Sequence, residues 1–275
     1  MNNSHITANE IKQSIRAKVS DALVEYRPEL GGSIALPDPV FDLALDHYIT
    51  DFRQSDVANS RLIALPEWKN AKRIFITPDN STRFLREVAI REEKEVIMTT
   101  YGIRRGSVLV TRDMVPDGQE EYASTLVGME KFGQPLPSIT DLEAAGSVDL
   151  MVTGALAVSS VHGGRAGKGA GWFDAEWGIW STLKLITMQT PIFCPVADVQ
   201  VVSEAFTLDD WDSRITHLAT PSRLIRIAVE QQPSGILWDK IITEKQMNWL
   251  QAIPYMRELY NRAFHKELPI IAVQD

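Results

Sequence analysis

The chain has 275 residues, 44% of them hydrophobic and 23% charged, with a formal net charge of -8 and a pI near 5.2. These values describe a globular protein with an ample core, and they argue against nucleic acid as the main partner because backbone binding needs a basic footprint. One cysteine, Cys194, permits no internal disulfide and suits a reducing cytoplasm; no window has the apolar length of a membrane span, and the start MNNSHITANE lacks the order of a signal peptide.

In chain order, Thr7 and Glu10 have capping-box spacing and open a helix on which Ile11, Ile15, Val19 and Leu23 fall four apart. Lys12 and Arg16 lie on a neighbouring face, where both can reach one anion; taken alone they read as solvated surface charge. Arg27 to Pro39, with three prolines and two adjacent glycines, reads as a loop. Helices are expected at 40–52 and 55–68. A strand at 73–77 ends in Pro78-Asp79-Asn80-Ser81, a turn with capping character, and leads to a helix at 82–93 and a strand at 95–99. Strand, helix, strand implies a parallel pair, with Asp79, Asn80 and the 99–105 loop at the carboxyl ends where ligands bind. Arg83, Arg86 and Lys94 read as a charged helix face and turn. A short strand at 107–111, a polar loop at 114–120 and a helix at 121–131 follow, and PLPSITDLEAAG leads back to the sheet.

Val148 to Thr153 is a short β-branched run bounded by Gly146 and Gly154, as in a buried parallel strand. After a second apolar patch at 155–158 comes a glycine cluster (Gly163, Gly164, Gly167, Gly169, Gly171) carrying Arg165 and Lys168, then a helix at about 172–185. A glycine-rich turn entering a helix exposes unpaired backbone N–H groups and suits a phosphate. Spacing separates the possible loops. A Walker A loop needs a glycine five positions before Gly-Lys and a Ser or Thr after it, but His162 and Gly169 stand there. A dinucleotide fingerprint begun at Gly169 puts its third glycine on Asp174. What remains is Arg-x-Gly-Lys-Gly-x-Gly-aromatic-aromatic-Asp, in which a metal ion on Asp174 could bridge to phosphates in the loop while Arg165 and Lys168 neutralise charge. An unliganded glycine-rich turn is the alternative.

Pro191 to Val202 is strand-like but interrupted by Asp198 and Gln200, and Thr207 to Thr220 contains Asp212. Helices are expected at 243–251 and 254–265, and Trp238 and Trp249 read as core-edge packing, although an exposed Trp238 could stack on a flat ring. Of the five histidines (His5, His47, His162, His217, His265) none has metal-ligand spacing, and only His162, beside the loop, is a site candidate. Cys194, inside an apolar run, reads as a buried thiol rather than a nucleophile.

The run Gly164 to Asp174 resembles the GRxGxGxGYYD signature of the 5-formyltetrahydrofolate cyclo-ligases, and RAGKGAGWFDAEW is similar to the RIGKGGGYSDLE form of their longer archaeal and bacterial relatives. Lys12 to Arg16 resembles the KxxLR of that family's first helix, 71–98 its KVNPDxPQxxVRxxALxxGKxVxM segment, and Pro233 to Ile241 its PxGIxWDxI element. The resemblance covers Lys12 to Leu259, though only the glycine loop is specific by itself. It implies one α/β domain over 1–275 with a mostly parallel central sheet flanked by helices, the isomerase and CoA-transferase-like fold: a helical part at 8–68, a sheet core at 72–230 and C-terminal helices at 239–266. It implies a cytoplasmic ligase that uses ATP and Mg2+ to cyclise 5-formyltetrahydrofolate to 5,10-methenyltetrahydrofolate with release of ADP and phosphate, its partner being the folate substrate. It implies Lys12, Arg16, Arg165, Gly167, Lys168, Gly169, Ala170, Gly171 and Trp172 for ATP; Arg165, Lys168 and Asp174 for catalysis; Asp174 for the metal; and Trp172 and Phe173 for the substrate.

The chain departs from the family pattern at Ala197 and Trp211, where histidines are usual, and at Trp172-Phe173, where tyrosines would bring two hydroxyls. Gln200 and Asp212, in the first two of these regions, are weaker site candidates for that reason. Two other functions fit the same loop: an ATP-dependent ligase for another small amide or carboxylate, and a non-catalytic nucleotide-binding regulator. Nothing in the sequence separates a monomer from a homo-oligomer.

Overall fold

Strand β1 (Arg73–Ile76) is the middle of the architecture, and its side chains show why. Ile74 and Ile76 enter one apolar cluster while Phe75 enters another, all fully buried. A strand alternates its side chains, so an uninterrupted apolar run means that both faces are covered. Neighbours β2 (Glu95–Thr99) and β5 (Leu150–Val152) repeat the division, with Val96, Met98, Leu150 and Val152 on one side and Ile97 and Met151 on the other. Full burial of each such side chain is worth about 1.5–3 kcal/mol.

The computed structural model describes residues 7–23, 49, 51–241 and 252–266. The remaining strands are β3 (Ser107–Val110), β4 (Gln134–Leu136), β6 (Ala157–Ser159), β7 (Arg165–Ala166), β8 (Ile192–Pro195), β9 (Val201–Val202), β10 (His217–Ala219) and β11 (Leu224–Arg226). The large sheet has the order β11-β10-β8-β5-β1-β2-β3-β4. The five strands from β10 to β2 run parallel, and antiparallel pairing is confined to β3, β4 and β11 at the edges. Helices Ser55–Ile63, Pro66–Asn70 and Arg83–Arg91 pack on one face with Ala8–Leu23, and helices Ile139–Ala145, Trp172–Thr182 and Pro254–Phe264 pack on the other. The fold is thus the α/β arrangement with a mostly parallel sheet that the sequence implies. No described helix is long and apolar enough to cross a membrane.

The first helix forms with the capping box read from the sequence. Thr7 N donates to Glu10 Oε2 at 2.7 Å and Glu10 N donates to Thr7 Oγ1 at 3.3 Å. The buried stripe, however, is Ala8, Lys12, Val19 and Leu23, with Ile11 and Ile15 only half covered. Lys12 is therefore not a solvated surface charge. The helix expected at 55–68 breaks at Leu65, because Pro66 starts a new one. The helix expected at 121–131 is two, Glu120–Ala123 and Leu126–Phe132, with Thr125 Oγ1 capping Gly128 N at 3.0 Å. PLPSITDLEAAG supplies edge strand β4 and a helix opened by a Ser138–Asp141 capping box. A small second sheet, β7-β6-β9, was not foreseen.

The loop expected at 27–39 and the helix at 243–251 lie outside the described residues, as do His5, His47 and Trp249. So does nearly all of the helix at 40–52, whose described end, 51–52, is not helical.

Candidate active site

A cavity of about 870 Å3 opens at the carboxyl ends of β1, β2 and β5. Chain order reverses between β5 and β1, so the cavity sits at the switch point of the parallel sheet, where such folds leave a crevice. Thr77 to Asn80 border it after β1, Thr99 to Arg104 at and beyond the end of β2, and Thr153 after β5. Lys12 and Arg16 come from the first helix, and the segment from Gly167 to Glu176 closes the side.

The small sheet positions that segment. β7 pairs antiparallel with β6, delivering Arg165 to the cavity edge, after which Gly167 to Gly171 lead into the helix. Gly171 is the N-cap at φ 68°, with open space around a hypothetical Cβ, so it is the backbone conformation that requires glycine there. Arg16 Nε donates to Gly167 O at 2.6 Å and fastens the loop to the first helix. Lys168 Nζ lies 3.5 Å from Asp79 Oδ1, while Asp79 Oδ2 accepts from Thr77 Oγ1 at 2.6 Å and from Gly154 N at 3.2 Å.

Asp174 is in the first turn of the helix. Its Oδ1 accepts from Ser213 N at 2.9 Å and Ser213 Oγ at 2.7 Å, and its Oδ2 from Arg165 Nη2 at 3.3 Å. Arg165 is buried and stacks on Phe173, with 5.2 Å from guanidinium carbon to ring centre. Buried Lys12 joins Asp212 in a short ion pair and lies 3.4 Å from Asp209. Burial, then the neighbouring Asp174 charge, pushes the Asp212 carboxyl upward. Burial and then Arg165 hold Arg16 below the ordinary guanidinium range. Lys12, Arg165 and Lys168 are thus each matched to a carboxylate, and Arg16 to a carbonyl.

Asp174 and Asp212 are hard oxygen donors, and the charge of the first reaches the carboxyl of the second, which suits magnesium held by one or two carboxylates with phosphate and water completing the shell. No group of three His, Cys, Asp or Glu among the described residues forms a metal cage.

The remaining candidates divide. Gly169, Ala170, half-buried Trp172, buried Phe173 and Trp211 line the cavity. His162 does not. Its Nδ1 accepts from Gly164 N at 2.8 Å and its Nε2 donates to Phe206 O at 3.1 Å, so it ties two loops together. Gln200 is also structural, bonding Ala197 N and the Ala155 and Leu156 carbonyls. Trp238 packs on Tyr260 and Phe264, and Cys194 is fully buried. Arg83 pairs with Glu121, and Lys94 bonds Ala71 O. Arg86 is not on an exposed face. It is 1% exposed and donates to the carbonyls of Thr77, Asp79 and Ser124, which fixes the turn that carries Asp79.

Glu176 was missed by the sequence reading. It lines the cavity at 3% exposure, its Oε1 accepts from Thr99 Oγ1 at 2.6 Å, and its Oε2 is buried without a partner. Burial, aided by Asp79, pushes its carboxyl up to about 8. The only sequence signal was its place two residues after Asp174.

Residues 9–221 match the 5-formyltetrahydrofolate cyclo-ligase family. The chain is 30% identical over 258 residues to a methenyltetrahydrofolate synthase domain-containing protein of Mus musculus, covering 91% of this chain and 63% of that protein. A Bos taurus protein of the same description is 29% identical over 255 residues, covering 90% and 61%. The chain therefore spans about three fifths of the length of these relatives. Among solved structures, the NMR structure of Aquifex aeolicus 5,10-methenyltetrahydrofolate synthetase is a loose likeness, at 21% identity and a TM-score of 0.46 over 78% of this chain and 92% of that one.

Proposed function

The chain belongs to the 5-formyltetrahydrofolate cyclo-ligase family, and on that premise we propose that it cyclises 5-formyltetrahydrofolate to 5,10-methenyltetrahydrofolate at the expense of ATP. The observation that supports this most is the meeting of Lys12, Arg16, Arg165 and Lys168 with Asp174 around one cavity.

A formamide oxygen is a poor leaving group. Transfer of the γ-phosphoryl group to that oxygen releases ADP and makes the formyl carbon electrophilic. The neighbouring amine nitrogen then closes on the carbon and gives up its proton, and the oxygen departs as inorganic phosphate. Catalysis of this kind is mainly positioning and charge neutralisation. In this reading the amides of Gly167, Gly169, Ala170 and Gly171 line the phosphates, with Trp172 beside them. Arg165 and Lys168 face the transferred group, while Lys12 and Arg16 hold the phosphates from the first helix. Asp174, with Asp212 beside it, would hold a magnesium ion, whose positive charge would offset the charge of the phosphates. Trp172 and Phe173 line the substrate side.

ADP release in the presence of ATP and magnesium tests the reading. It should rise at least tenfold when 5-formyltetrahydrofolate is added; an unchanged rate would contradict it. Trp211 and Trp172 line the cavity, and both depart from the family pattern. They favour a second reading, ligation of another small amide or carboxylate, in which ADP release responds to that compound instead.

A further inference from the structure

Among the described buried side chains that leave a polar atom without a hydrogen-bond partner, two line the cavity: Arg165 through Nε and Glu176 through Oε2. Arg165 is otherwise engaged by Asp174 and stacked on Phe173. Glu176 is different. Thr99, the last residue of β2, fixes one carboxyl oxygen at 2.6 Å and leaves the other unspent. An orphaned buried polar atom is costly, and native proteins keep few of them. A ligand that supplies the missing partner removes the cost, so a carboxyl kept at 3% exposure in a cavity wall is suited to a bound molecule.

The neighbourhood narrows its chemistry. Trp172 and Tyr101 stand on the same cavity and offer flat apolar surface. Asp79, Arg165 and Lys168 exert charge on Glu176 from the turn after β1, from β7 and from the glycine loop. A carboxyl forms two hydrogen bonds with an amino group and its adjacent ring nitrogen, and that pairing persists whichever partner holds the proton.

We propose that Glu176, oriented by Thr99, is a binding residue for the amino-substituted ring-nitrogen edge of a flat heterocycle in the non-nucleotide substrate. The inference rests on the folate reading above and assigns that substrate its unpartnered contact atom, Glu176 Oε2, with the Thr99-bound Oε1 completing the pair.

Calorimetric titration of the full chain with 5-formyltetrahydrofolate and with its 2-desamino analogue tests it, with the thermal shift given by ATP and magnesium as a control for folding and for the nucleotide site. Wild type should bind the amino compound at least about tenfold more tightly than the analogue. Glu176→Leu should lose that preference while keeping the ATP shift, Glu176→Gln should keep most of it, and Thr99→Val should weaken it severalfold. A Glu176→Leu protein that still discriminates tenfold overturns the proposal and leaves the folate reading standing. A wild type that binds neither compound overturns both. If Glu176→Leu does not fold, Thr99→Val decides: undiminished preference there overturns the proposal.

Discussion

Asp174 and Glu176 lie two residues apart on one helix and meet opposite environments. Asp174 is satisfied by Ser213 and Arg165, whereas Glu176 has a single partner and full burial. The folded state holds the Glu176 proton up to pH about 8, against an ordinary value of 4.5. Its contribution to stability is therefore complete below pH 4.5 and lost as pH rises toward 8. Urea denaturation at pH 5 and 7 should show wild type losing roughly 3 kcal/mol relative to Glu176→Gln over that interval; parallel slopes would contradict the buried carboxyl. Removing the Lys12 amine strands Asp212, so Lys12→Met should cost roughly 3 kcal/mol by the same method and weaken ATP binding; an unchanged midpoint would contradict the pair. At this scale the sequence showed what local pattern can show. The loop cations and Asp174 are spaced as a signature within ten residues. Glu176 depends on Thr99 from a distant strand, and Arg86 on carbonyls of two other segments, so neither environment is written nearby.

Elements were legible where local chemistry decides them. The Thr7–Glu10 box starts the first helix as read, and Ser138–Asp141 starts another with the same type of spacing. The two split helices had visible causes in Pro66 and in the Ser124-Thr125 step. The roll of the first helix did not, because it follows from Asp212 capturing Lys12 from 200 residues away. Gly163 joins elements in a similar way. At φ 72° it accepts from Ile215 N at 2.8 Å, and a Cβ there would lie 2.2 Å from Ile215 O. Gly163→Ala should cost roughly 2 kcal/mol or more, seen as a lower melting temperature. It should also slow turnover by displacing Ser213, two residues before Ile215, from Asp174. A variant that melts like wild type would show that this junction is not under constraint.

For the whole molecule, apolar runs and the strand-helix-strand order made the central parallel pair readable, and from it the end of the sheet where ligands bind. The edge strand β4 and the second sheet were not readable, since strands of two or three residues carry no periodic signal. Assembly also produced a charge balance that spacing does not reveal: Lys12, Arg165 and Lys168 face Asp212, Asp174 and Asp79. A triphosphate entering such a site adds negative charge that the pairs cannot absorb. Saturating ATP should therefore raise the melting temperature in magnesium, by the equivalent of about 2.7 kcal/mol at a hundredfold excess over Kd, and EDTA should remove the shift. An equal shift in EDTA would take the metal out of the site.

The most direct test is the absorbance of 5,10-methenyltetrahydrofolate formed from 5-formyltetrahydrofolate, ATP and magnesium by wild type and by Asp174→Ala. The account predicts steady formation with wild type and a rate at least about a hundredfold lower with the variant. Equal rates would contradict it.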